Sequence, residues 1–179
     1  MGTSAGRILV DDARQVRRAR YPIWVFFVIP LSALLIQIYL PLFQTLRFVA
    51  KIDLPLLVTI YFALMRRSKI RGLTIGLVLG LAQDSFSRFY IGMYGLCKTM
   101  VGYFSASVGL QFDVEHPLVR MLLCLVFYLF HQFLYWVLQR AVLDQAVVFD
   151  VQGEVILAVI HALIGVALFH FLDKLRVRE

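Results

Sequence analysis

The chain has 179 residues, is 61% hydrophobic and carries a formal net charge of +7. Its mean hydropathy is +0.81, and soluble domains are only about 45–50% apolar, so the composition is that of a chain solvated by lipid. At about 20 residues per crossing, the length holds about six helices with short connections and excludes a separate soluble domain of useful size.

In chain order, residues 1–20 form a polar basic tail containing Arg14, Arg17, Arg18 and Arg20. The uncharged run that follows covers 26 residues, from 21 to 46, well beyond the ~7–15-residue core of a signal peptide. It is read as a retained first span over 22–43, with Pro30 and Pro41 expected to bend or end it. Further spans are expected over 52–65, 72–86, 92–110, 119–139 and 155–172. The transmembrane domain therefore occupies 21–173, and 174–179 is a second basic tail. The predicted fold is an all-α compact bundle of about six transmembrane helices.

Basic residues sit mainly at span ends, so orientation explains the positive charge better than nucleic acid does. The two tails and the turn with Arg66, Arg67, Lys69 and Arg71 fall on one side, whereas Arg47, Lys51, Arg88 and Arg140 fall on the other. The positive-inside bias then places both termini in the cytoplasm. The connection over 111–117 is an exception on that side, with Asp113 and Glu115 but no Lys or Arg.

Spans 2 and 3 are short. Each has 12 consecutive uncharged residues, 54–65 and 72–83, or about 18 Å of helix against a hydrocarbon core of about 30 Å. Either Asp53 and Asp84 enter the membrane, or the two helices form a hairpin shielded by the other spans. Span 3 also carries Gly72, Gly76 and Gly80 ahead of Asp84. Residues four apart share a helix face, so these glycines form a groove that a second helix can approach closely. Span 4, with Gly95, Gly102 and Gly109 at seven-residue spacing, is the expected partner.

Asp53, Asp84, Arg88 and Lys98 all fall toward the outer side. Lys98 lies in an otherwise uncharged stretch and is costly unless paired, with Asp84 or Asp53 as its expected partner. The four residues form either an ion-paired register lock or a polar pocket or partner-docking surface. His131 and Gln132 in span 5 and His161 in span 6 are intramembrane polar groups. The two histidines fall at similar depth, which suggests an interhelical hydrogen bond. Without a carboxylate or cysteine beside them they make a poor metal site. Cys97 and Cys124 have no metal or redox spacing and read as packing residues. No catalytic motif, cofactor signature or metal-ligand set is visible, so the sequence predicts no enzyme. The residues 146–149 between spans 5 and 6 are too apolar for a simple solvent loop and suit the membrane surface or a partner.

The stretch Asp53-Leu54-Pro55 through Tyr61 to Met65-Arg66-Arg67, followed by Arg71-Gly72, Gly76, Gly80-Leu81, Asp84 and Gly92, resembles the MreD family of bacterial rod shape-determining membrane proteins. The motif-bearing part covers about residues 52–110, and spans 1, 5 and 6 match only in hydropathy. Two departures are Ile52, where a proline often precedes the aspartate, and Arg88, near a usual glycine. The resemblance implies a non-enzymatic scaffold of the cell-elongation machinery in the bacterial inner membrane. Its implied partner is an MreC-like single-span protein, linked through it to an MreB-like cytoskeleton and to the wall polymerase and transpeptidase. It also implies a helical arrangement similar to the substrate-binding subunits of energy-coupling-factor vitamin transporters. Those subunits are the alternative reading, but span 1 lacks their Ala-x-x-x-Ala docking motif.

Overall fold

A computed structural model describes residues 22, 24–40, 51–66, 68–87, 90–112, 114 and 116–175. The described residues form six helices and no strand: α1 (Val25–Tyr39), α2 (Leu54–Arg66), α3 (Lys69–Phe86), α4 (Met93–Gln111), α5 (Pro117–Ala141) and α6 (Val151–Asp173). All six expected helices are present, each within a few residues of its expected bounds. Most of the two tails, Arg47, Arg67, Arg88, Asp113 and Glu115 lie outside the described residues.

The packing is built around α2, which touches each of the other five helices. Around it α1, α3, α4, α5 and α6 form an arc in which each helix packs on the next. Every residue of α2 from Pro55 to Met65 is buried, with Leu56, Leu57, Ile60, Tyr61 and Leu64 in one apolar core with Val101, Cys124, Ala158, Ala162 and Phe169. At 13 residues, α2 is about 20 Å long. The surrounding helices shield it, so its shortness exposes no backbone. Its neighbour α3 reaches 18 residues because Lys69 and Arg71 are drawn into its first turn.

The surface is apolar and the interior holds charge. Phe27 and Leu31 on α1, Val78 on α3, Leu122 and Phe133 on α5, and Val159 and Leu163 on α6 are exposed, while Asp84, Lys98, His131 and His161 are buried. A soluble fold has the opposite distribution. Two helices, α5 and α6, are long and apolar enough to cross a membrane, with only 22% and 33% of their most apolar stretches buried. Helices with so little burial are not the core helices of a soluble domain.

The helices alternate in direction, which gathers the basic residues of the turn between α2 and α3 at one end. There Arg66 lies 3.9 Å above the Phe26 ring, and Arg120 of α5 pairs with Asp173 of α6. The Arg120 Nε also donates to the Val114 carbonyl at 2.7 Å, and the Tyr61 hydroxyl donates to Asp173 at 2.8 Å. This clamp joins α2, α5 and α6. Pro30 sits inside α1 without ending it; Pro41 lies outside the described residues.

The connection between α5 and α6 runs over 142–150 and folds back on α5. The Trp136 indole donates to the Val147 carbonyl at 3.0 Å and its ring meets Phe149 at 5.8 Å. Val148, in contrast, is 88% exposed. The apolar character of 146–149 is thus divided between intramolecular packing and an exposed tip.

Candidate functional site

The polar cluster at the end opposite the basic turn begins with the start of α2. A helix that begins inside a bundle leaves its first N–H groups without water or carbonyl partners, and each one here is accounted for. The Asp53 N–H donates to His161 Nε2 at 2.9 Å, and the Leu54 N–H to Gln37 Oε1 of α1 at 3.1 Å. Pro55 has no N–H to satisfy. The Leu56 N–H donates to Asp53 Oδ1 at 2.9 Å, so Asp53 is the side-chain cap. Helices at both ends of the arc, α1 and α6, thereby hold the first turn of the central helix.

His161 has a defined tautomer. Its Nε2 accepts from a backbone N–H, so that nitrogen is unprotonated. Its Nδ1 lies 2.8 Å from the Leu157 carbonyl and is the donor. The Tyr128 ring stacks on it at 4.0 Å. A neutral imidazole in this geometry is a structural acceptor.

Lys98 is completely buried. Its Nζ lies 2.6 Å from Asp53 Oδ1, donates to Gln83 Oε1 of α3, and sits 5.6 Å from the centre of the Tyr94 ring. Asp53 is therefore a cap for α2 and the counter-ion of a lysine in α4, and Gln83 ties in α3. Of the two partners expected for Lys98, Asp53 makes the ion pair.

Asp84 does other work. Its carboxylate accepts from the N–H groups of Gly92 at 3.0 Å, Tyr94 at 3.1 Å and Gly95 at 2.8 Å. The residue at the head of α4 is Gly92, with φ of 103°, which has no side chain to cap the helix. Asp84 supplies that cap from the end of α3, and the dipole at the N-terminus of α4 favours its charge. Expected coupling of Asp84 to Lys98 as an ion pair is corrected on this geometry: three backbone donors occupy the carboxylate.

The glycine stripe lies where α3 and α4 meet. A Cβ at Gly72 would overlap the Gly102 carbonyl oxygen, one at Gly76 the Lys98 carbonyl, and one at Gly80 the Tyr94 carbonyl. Backbone thus meets backbone along the hairpin. Gly95 faces Leu81 and Asp84 of α3, and Gly102 faces Gly72. Gly109 departs from the expected pattern: an added Cβ would lie 2.6 Å from the Leu64 carbonyl of α2. The three α4 glycines therefore serve two partners, because α4 packs on both α2 and α3.

The expected hydrogen bond between His131 and His161 is replaced by other partners. His131 is buried on α5 beside Gln132, with Nδ1 3.2 Å from its Oε1, while Gln132 Nε2 donates to Glu154 of α6 at 2.9 Å. The same carboxylate oxygen of Glu154 accepts from the Tyr128 hydroxyl at 2.9 Å. Tyr94 stacks between this region and Tyr135, 4.9 Å from the latter ring. The two histidines anchor different helices: His161 serves α2, and His131 belongs to the α5–α6 tie.

Gln37, Gln83, Arg120, Glu154 and Asp173 carry interactions that the sequence reading did not single out. Gln37 and Gln83 were detectable as lone amides in apolar runs. Arg120 and Asp173 were detectable as opposite charges near the same end of adjacent spans. A notch of about 270 Å³ at this end is lined by Lys51, Asp150, Gly153, Glu154, Ile156 and Leu157. Asp53, Asp84 and Lys98 are not among its lining residues, and Arg88 lies outside the described residues. No group of three metal-ligating side chains occurs among the described residues. Cys97 and Cys124 are buried free thiols. Chemically, the cluster consists of caps and a paired charge that fix helix positions.

No family model, curated protein or solved structure matches this chain.

Proposed function

We propose that this chain is a six-span scaffold of the bacterial inner membrane that serves cell elongation in the manner of MreD proteins, with both termini cytoplasmic. It has no catalytic role in this reading and needs no cofactor. Its partner is an MreC-like single-span protein, through which it supports an MreB-like cytoskeleton and the polymerase and transpeptidase of lateral wall synthesis. One observation carries the reading. The residues on which the resemblance rests coincide with the interactions that set the bundle: Asp53 caps α2 and pairs Lys98, Asp84 caps α4, and Gly72, Gly76 and Gly80 bring α3 against α4. A scaffold needs this kind of fixed geometry, because interhelical packing and hydrogen bonds replace the hydrophobic effect inside lipid.

The test is a clean deletion of the gene in its host cell, read by cell shape and combined with gentle detergent purification of the tagged protein. Round cells and an MreC-like companion of near-constant ratio are the expected result. Normal rods, or a bound vitamin with transporter subunits in place of that companion, would overturn the proposal.

A further inference from the structure

Helix α5 enters the polar cluster through His131, yet no hydrogen bond among the described residues ties that side chain to α2 or α4. His131 is buried, and its Nε2 has no hydrogen-bond partner among the described residues. Its protonation follows from its neighbours. Gln132 Nε2 donates to the Glu154 carboxylate at 2.9 Å, so the amide oxygen is the atom that faces His131. That oxygen only accepts, which makes Nδ1, 3.2 Å away, the protonated nitrogen. Lys98 already balances the charge of Asp53, so His131 is neutral and carries a lone pair on Nε2. A buried lone pair without a donor is costly.

Two more unmet demands lie beside it. The Lys98 ammonium has three N–H groups; one goes to Asp53 Oδ1 at 2.6 Å and one to Gln83 Oε1. No oxygen or nitrogen among the described residues accepts the third. Asp53 Oδ1 takes both Lys98 and the Leu56 N–H, and no donor among the described residues reaches Oδ2. The Tyr94 ring is the common neighbour of these groups. It lies nearly parallel to the His131 ring, with centres 6.1 Å apart, and 5.6 Å from Lys98 Nζ. The charges of Asp53 and Lys98 are both felt at His131. One lone pair, one N–H and one carboxylate oxygen thus remain around a single point where α2, α4 and α5 meet.

We infer that a buried water molecule binds between His131, Lys98 and Asp53, donating to His131 Nε2 and Asp53 Oδ2 and accepting the third Lys98 N–H. Buried waters typically make about three hydrogen bonds to polar groups that lack other partners. Only a molecule that both donates and accepts meets all three demands. Chloride would satisfy Lys98 but face a carboxylate and a lone pair, and a metal cation would face an ammonium. The water joins α5 to α2 and α4, which makes one hydrogen-bonded network across α2, α3, α4, α5 and α6. His131 is its positioning residue on α5. The site is independent of any elongation partner.

The test uses the full-length protein in lipid bilayers, isotope-labelled at nitrogen and assigned by sequential backbone correlations. Solid-state NMR reads which ring nitrogen of His131 carries the proton, and magnetisation transfer from water protons reads which nitrogens touch water. His131 should show a protonated Nδ1 and a bare Nε2, and both Nε2 and the Lys98 ammonium should receive transfer from water. A protonated Nε2, or a bare Nε2 without water transfer, would overturn the site. Transfer at His131 but none at Lys98 would overturn the bridge. His131→Phe keeps a ring and removes the acceptor, and it should lose most of the water transfer at Lys98. His131→Gln restores a side-chain acceptor and should recover it. Unchanged transfer at Lys98 in His131→Phe would show that His131 does not hold the water. The parent spectrum decides between a hydrated and a dry Nε2 even when a variant fails to assemble.

Discussion

At the residue scale, Asp53 shows how one carboxylate can fix several helices. It ends the backbone of the preceding connection, caps α2 and neutralises Lys98 of α4, while its own N–H is held by His161 of α6. Loss of one member of a buried pair leaves the other charge uncompensated, a cost of about 3–5 kcal/mol. Lys98→Met should therefore destabilise the protein by about that amount in detergent unfolding. Combining it with Asp53→Asn should show coupling of about 1 kcal/mol or more, clearly above that of Lys98→Met with Asp84→Asn. Equal coupling in the two cycles would contradict the assignment of Asp53 as counter-ion. The sequence marked Lys98, Asp53 and Asp84 as polar groups that required partners. It could not choose between the acids, because the choice turns on which backbone N–H groups each carboxylate meets.

At the scale of elements, the α3–α4 hairpin depends on the absence of side chains at three positions. A methyl at Gly76 would fall on the Lys98 carbonyl, and the Lys98 carbonyl carbon would lie 2.6 Å away. Neither atom can move without displacing the backbone of α4, which also carries the buried ion pair. Gly76→Ala should therefore cost about 1–3 kcal/mol through overpacking. Thr74→Ala, exposed two residues before it on the same helix, should stay within about 0.5 kcal/mol. Matched unfolding midpoints for the two variants would show that the helices separate more easily than this packing implies. The periodicity of the stripe was legible in the sequence because four-residue spacing maps directly onto one helix face. The destination of Gly109 was not, since seven-residue spacing drifts around a straight helix and carries it from α3 toward α2.

At the scale of the molecule, α2 is central and short, and α1 and α6 close over its first turn through Gln37 and His161. This arrangement explains how a helix of about 20 Å fits within a bundle whose outer helices are longer. In the proposed orientation, the turn at Ser68 lies in the cytoplasm and the exposed Val148 tip lies outside. A single cysteine at each site checks this, and the native Cys97 and Cys124 are buried and give little background. An impermeant maleimide should label Val148→Cys in intact cells and Ser68→Cys only after permeabilisation. The reverse pattern, or labelling of both sites in intact cells, would refute the orientation.

The sequence by itself determined the all-helical class, the six helical segments, the alternation of basic and less basic ends, and the polar and glycine positions that require explanation. Those properties follow from composition and from periodicity along a single helix, which are local. Only the tertiary structure decided that α2 is the hub, that Asp53 rather than Asp84 pairs with Lys98, and that His161 and Gln37 complete the first turn of α2. Each of these depends on which residues of distant segments meet, and hydropathy carries no record of that. A buried donor or charge without a partner is costly, so the positions of the polar demands could be read in advance, while the identity of each partner awaited the packing.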